Sequence, residues 1–211
     1  MGPSSKDWLE NAYDLNTPED NRAYYKAFAR SYDAEFAQAL GYCYPRIIAE
    51  AYHSAAPPSD TLIADIGCGT GLLAEALSPD CLIDGFDISK EMLAQSKEKG
   101  LYRNLIERDI TQDLSQFRGR YGAVLSAGTF THGHLGPEPL SNILKIGSQG
   151  SLFVIGIDKA HFEAKGFREK LQEMTDRTEI TRPALRETEI YDKKNHEHAQ
   201  DRALVVTFHK R

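Results

Sequence analysis

The sequence predicts an α/β fold: a mostly parallel seven-stranded sheet flanked by helices, with a helical cap before it. Five short apolar runs recur through the middle of the chain: "TLIADI", "CLIDGFD", "NLIERD", "GAVLSAG" and "SLFVIGI". Helical stretches separate them, and strands that are apolar along their whole length mark a parallel sheet buried on both faces. Two further strand-like stretches, "ALRETEIYD" and "RALVVTFHK", flank the polar turn "KKNHEHAQD". They predict an antiparallel pair at one sheet edge, with the last strand running against the rest.

Residues 1–57 are expected to form the cap. In "EDNRAYYKAFARSYDAEFAQAL", Tyr24, Phe28, Tyr32 and Phe36 recur every four residues, one face of an amphipathic helix. A second helix, "YPRIIAEAYHSA", is closed by Pro57 and Pro58. The core, 58–211, alternates from there. Its helices are "GLLAEAL", "SKEMLAQSKEKG" with Ser89 as N-cap, and "PEPLSNILKI" with Pro137 near its start. One polar helix, "HFEAKGFREKLQEMTDR", is expected before the final strand pair.

Composition bounds the function. A chain of 211 residues, 41% hydrophobic and 27% charged, is expected to form one soluble domain. Its net charge of −6 gives no polyanion preference, so no nucleic-acid partner is expected. Cys43, Cys68 and Cys81 form no C-x-x-C pair, which fits a reducing compartment. With neither a membrane-length apolar run nor a secretory core in "MGPSSKDWLE", the expectation is a cytoplasmic protein, monomer or homodimer, without a membrane partner.

The strongest chemical signal is "LIADIGCGTGLLAEAL". A strand ends at Ile66, then Gly67, Gly69 and Gly71 alternate ahead of a helix. Such glycines let backbone lie against a ligand, and the helix start offers unpaired N–H groups. The next strand ends in Asp87, where a carboxylate can hold a ribose diol. Asp65, Gly67, Gly69, Gly71 and Asp87 together describe a nucleoside site. A dinucleotide site would favour G-x-G-x-x-G, whereas this chain has "GCGTG" behind an acid.

With "ADIGCGTG", "GFDISKEML" and "GTFTHGH", the chain resembles the class I S-adenosylmethionine-dependent methyltransferases, and within them the Williams–Beuren syndrome region methyltransferase-like family. The resemblance runs from about Tyr32 through the last strand. It implies a Rossmann-like fold and S-adenosyl-L-methionine as cofactor, leaving as S-adenosyl-L-homocysteine. It further implies that Asp65 and the turn Gly67, Cys68, Gly69 to Gly71 approach the methionine part. Asp87 would hold the ribose, Ile88 and Met92 would lie near the adenine, and Asp109 with the Ile110 backbone would meet its amino group. Tyr32, in a "YD" pair, and Ala127, at the end of the fourth strand, are counted with the cofactor's contacts. Two residues keep a second reading: Met92 as helix core and Asp109 as the cap of "TQDLSQF".

Methyl transfer from a sulfonium needs alignment and exclusion of water more than a fixed catalytic signature. The fourth strand should end beside the transferred methyl. There the chain reads "SAGTFTHGH" rather than the Asn/Asp-Pro-Pro-aromatic of amino-methylating nucleic-acid and glutamine enzymes. The expected acceptor is therefore a small molecule, methylated at O, N or S, and His132 and His134 are the catalytic candidates. His196 and His198 in "KKNHEHAQD" face the same end of the sheet if the last strand is antiparallel, but no metal is expected, because no Cys or carboxylate cluster has zinc-like spacing. Two other functions compete: a non-catalytic cofactor-binding subunit, and a nicotinamide-dependent oxidoreductase.

Overall fold

A computed structural model describes Lys26, Ala29 and residues 32–131, 135–193 and 195–211. Tyr24 and Phe28 of the predicted cap stripe lie outside the described residues, as does the side chain of Phe36. The part of the cap that is described begins with a π-helical segment, Tyr32–Gln38, and continues into α1 (Tyr44–Ser54). Alternation then follows: β1 (Leu62–Ile66), α2 (Leu72–Ala76), β2 (Leu82–Asp87), α3 (Lys90–Lys99) and β3 (Asn104–Glu107). Next come β4 (Tyr121–Phe130), α4 (Leu140–Ile146), β5 (Gly147–Asp158), α5 (Lys159–Ala164), α6 (Phe167–Asp176), β6 (Ala184–Glu189) and β7 (Arg202–His209). Among the described residues, no helix is long and apolar enough to cross a membrane.

All seven strands join one sheet in the order β3-β2-β1-β4-β5-β7-β6. The pairs among β1 to β5 are parallel, and β7 runs antiparallel to both β5 and β6. This is the Rossmann-like arrangement the sequence implies. From β1 the chain winds outward through β2 and β3, then returns to place β4 on the other side of β1. The crevice at that switch, outside the carboxyl ends of the strands, is where such sheets bind ligands.

Strand pleating divides the core into two layers, since successive side chains point to opposite faces. Ile63, Ile83, Leu125, Val154 and Val205 pack with α1 and α2 on one face. Ala64, Phe86, Val124, Ile155 and Val206 pack with α4, α5 and α6 on the other. Asp84 is a fully buried acid inside this sheet. Arg103 holds it through Nε and Nη2 at 2.9 and 2.7 Å, and the Tyr121 hydroxyl donates at 3.0 Å. Burial alone would raise its carboxyl, but these donors outweigh that and hold it below the usual carboxylate range.

Two predicted helices after β4 differ. The single polar helix before the last strand pair is two helices, broken where Gly166 takes a left-handed φ of 77° as the N-cap of α6. Nor is it polar throughout, because Phe162, Phe167, Leu171 and Met174 are buried against the sheet. The α4 helix starts later than predicted: Pro139 is its N-cap, and Pro137 lies in a turn whose carbonyl accepts from Leu140 N–H at 3.1 Å. Ser89 caps α3 as expected, its hydroxyl accepting from Met92 N–H at 3.2 Å.

Candidate functional site

A cavity of about 160 Å³ opens at the carboxyl ends of β1 to β4. Its walls include Tyr32, Asp65, Gly67, Cys68, Gly69, Asp87, Ile88, Met92, Asp109, Ile110 and Ala127. Five separate segments therefore converge on one hollow: the cap, the glycine turn, the exits of β2 and β3, and the exit of β4. Gly71 is the exception among the glycine-turn residues expected here. It does not line the cavity, and a Cβ on it would press on Ser96 Oγ and the Tyr102 ring at 3.1 Å.

The turn is pinned from three sides. Gly69 N–H donates to Asp87 Oδ2 at 2.8 Å, while the Gly69 carbonyl accepts from Ser96 Oγ at 2.7 Å. Behind it, the last carbonyl of β1, Ile66 O, accepts from both Ser126 Oγ at 2.9 Å and Thr129 Oγ1 at 2.8 Å. Gly67 has φ 66°, and a Cβ there would collide with the Thr129 hydroxyl, so only glycine fits this approach. On the far wall Gly128 has φ 89°, and a Cβ on it would stand 2.5 Å from the Tyr42 hydroxyl.

Three carboxylates face this hollow in different states of engagement. Asp87 accepts backbone N–H bonds from Gly69 at Oδ2 and from Ser89 at Oδ1, both 2.8 Å. These fix its plane, and each oxygen keeps a lone pair that can accept a further hydroxyl. Burial nevertheless raises its carboxyl above the ordinary value. Asp65, 1% exposed, accepts from the Tyr102 hydroxyl at 2.7 Å. Its burial pushes it up to about 7, against the lowering effect of that hydrogen bond, and Asp87 adds to the rise. Asp109 Oδ1 accepts from the N–H and hydroxyl of Thr111 at 2.8 and 2.7 Å, closing a local turn of the kind aspartate favours. The helix "TQDLSQF", expected to start there, is reduced to one 3₁₀ turn at Ser115–Phe117.

His132 and His134 lie outside the described residues. Their segment is flanked by Thr129 and Leu135, which both line the cavity. The Leu135 carbonyl is 3.0 Å from Nε2 of the buried His161 on α5. His196 packs edge-on against Tyr191 at 4.9 Å, and Tyr191 against Tyr42 at 5.9 Å. His198 Nδ1 lies 3.1 Å from Asp201 Oδ2. Among the described residues, no group of three or more His, Cys, Asp or Glu side chains is placed to hold a metal ion.

Sequence reasoning missed several residues that build the site. Thr70, 2% exposed, donates to Asp33 Oδ1 at 2.5 Å, and Lys99 Nζ pairs with Asp33 Oδ2 at 2.6 Å, so the cap is tied to the turn and to α3. Thr129 stands within "SAGTFTHGH", and nothing local marks its bond to Ile66, 63 positions away. Tyr102 precedes β3 and gives no local signal, because its partner Asp65 is 37 positions away. Arg108 and Tyr42 also line the cavity.

The chain is similar to known proteins in two ways. A family profile described as a methyltransferase domain matches residues 63–150, the stretch carrying β1 to β4 and their helices. The human (Homo sapiens) methyltransferase-like protein 27 is 36% identical over 117 residues, which cover 53% of this chain and 47% of that protein. The match thus spans about half the length of this curated relative. Among solved structures, a TehB-like SAM-dependent methyltransferase from Corynebacterium glutamicum aligns with TM-score 0.59 and 20% identity. That alignment covers 92% of this chain and 100% of the other. A SAM-dependent O-methyltransferase from Thermotoga maritima aligns with TM-score 0.56 and 15% identity, over 79% of this chain and 65% of the other.

Proposed function

From a chain whose residues 63–150 match the profile of a methyltransferase domain and whose sheet has the class I methyltransferase order, we propose an S-adenosylmethionine-dependent enzyme that methylates a small-molecule acceptor at oxygen, nitrogen or sulfur. The observation that carries this reading is the convergence of the glycine turn, Asp87 and Asp109 on one cavity at the sheet's switch point. The residues present fit an adenosyl sulfonium. Asp87 keeps lone pairs for a sugar diol, Ile88 and Met92 offer an apolar face for a base, and Asp65 beside the turn suits a cationic amino-acid end. S-adenosylmethionine supplies, when bound, an activated methyl on a good leaving group.

The chain's own contribution is then alignment and exclusion of water. Ser126 and Thr129 fix the end of β1 against the exit of β4, so the turn cannot drift from the wall that an acceptor would meet. Tyr32 and Tyr42 close the cap side of the cavity with Pro45. A net charge of −6 favours a small acceptor over a polyanionic nucleic acid. We keep His132 and His134 as candidate bases, because the residues flanking them stand at the cavity wall. Removing an acceptor proton at that position is typically worth about 10²–10⁴-fold.

The test has two parts. Calorimetry should show S-adenosylhomocysteine binding and no binding of a nicotinamide dinucleotide. Screening metabolite fractions with a labelled methyl donor should then find an acceptor whose turnover falls in His132→Ala or His134→Ala. Binding of the dinucleotide alone would reject the methyltransferase reading. Full turnover in both histidine variants would reject the bases and leave the rest standing.

A further inference from the structure

We propose that Arg108 is a cofactor-binding residue whose guanidinium meets the adenine base. This rests on the S-adenosylmethionine reading above and extends it by giving the base a cationic partner from this chain. Arg108 directly follows β3, and its backbone N–H donates to the Asp87 carbonyl at 2.8 Å, tying the exits of β3 and β2 together. Its half-buried side chain lines the cavity with Asp87, Ile88, Asp109 and Ile110. The Nε is shielded from solvent and has no hydrogen-bond partner.

Its isolation is informative because the paired arginines of this chain show the alternative. Arg103 holds Asp84, Arg46 pairs with Glu50, and Arg177 pairs with Glu173. Among the described residues, Arg108 makes no ion pair, although Asp87 and Asp109 share its wall. An arginine keeps its charge throughout the physiological range and presents its donors in a rigid plane. A buried donor without an acceptor is unfavourable, so a group that enters the cavity with an acceptor at this point is drawn to it.

Position decides which group that is. Neighbouring strands lie about 4.8 Å apart, and β3 stands three places from β4, so the Arg108 backbone is roughly 14 Å from the β4 exit. A methyl acceptor beside Ala127 and Gly128 is therefore beyond it. A nucleoside whose sugar sits at Asp87 and whose sulfonium points to β4 must carry its base the other way, toward β3. A purine offers ring nitrogens that accept an in-plane N–H and a π face that attracts a cation. Both match a guanidinium at this site.

Isothermal titration of S-adenosylhomocysteine and of adenosine into wild type, Arg108→Met and Arg108→Lys tests this, with melting of each ligand-free protein alongside. Arg108→Met should weaken both ligands by the same factor, about tenfold or more, and Arg108→Lys should fall between. The ligand-free melting temperature should stay level or rise, because the deleted donor had no partner. Affinities for both ligands within about twofold of wild type would overturn the proposal. So would a loss confined to S-adenosylhomocysteine, which would put Arg108 at the amino-acid end. A fall in the ligand-free melting temperature would make its role structural and overturn it as well. Failure of the wild type to bind either ligand would instead reject the cofactor reading, and this inference with it.

Discussion

Asp65 sits beside the glycine turn without access to solvent, and the Tyr102 hydroxyl donates to its Oδ2. Its folded carboxyl is raised to about 7, chiefly by burial, against about 3.9 for an unfolded aspartate. The folded state therefore binds the extra proton across that interval. Its contribution to stability is complete below about pH 4 and is lost as the pH rises through 7, on the order of 4 kcal/mol in all. Scanning calorimetry between pH 5 and 8 should show a declining melting temperature in wild type and a clearly shallower decline in Asp65→Asn. An equal slope in the two proteins would contradict this account. The residue was legible as an acid before a glycine turn. Its charge state was not, because that depends first on burial, and then on Tyr102 and Asp87, all of which only the fold supplies.

At the scale of elements, the segment Tyr32–Gln38 meets the sheet's helices through Asp33. The Thr70 hydroxyl and the Lys99 ammonium both reach its carboxylate, and Lys99 also pairs with Glu75 on α2 at 3.0 Å. One side chain therefore links the π-helical segment, the glycine turn and α3, directly beside Tyr32 on the cavity wall. Asp33 is about one third exposed, so the pair is partly screened and its loss should be modest. Asp33→Ala should speed release of S-adenosylhomocysteine by about 3- to 10-fold with little change in the association rate. Surface plasmon resonance on the immobilised protein measures both, and an unchanged dissociation rate would show that the cap is not held this way. Asp33→Asn, which keeps an acceptor for Thr70 but not the charge for Lys99, should fall between. The sequence placed Tyr32 and its neighbour near the cofactor by resemblance alone; the tie to α3 crosses some 66 residues and leaves no periodic trace.

Across the whole molecule, what was readable from the chain was whatever repeats locally. Apolar runs, glycine spacing and the Ser89 cap are local, and the seven-stranded order with its reversed β7 follows from them together with the resemblance. What escaped was long-range: the paired hydroxyls on Ile66 O, the Tyr102–Asp65 bond, and the break at Gly166 inside a stretch whose charge pattern runs on unbroken. The exit of β4 carries a further consequence. Between Ser126 and Phe130 that strand advances four residues, while its partner advances only two, from Ile155 to Ile157. Two residues are thus looped out toward the cavity, and an even surplus preserves the in-out alternation, leaving Phe130 in the same layer as Val124. The loop's length is thereby uncoupled from the core in steps of two. Inserting two glycines after Ala127 should lower the melting temperature modestly, by loosening the Thr129 bond to Ile66, whereas inserting one should turn Phe130 toward the opposite layer and lower it much further. Changes of length at this exit, made in even increments, should therefore leave the facing of both layers beneath it as it is.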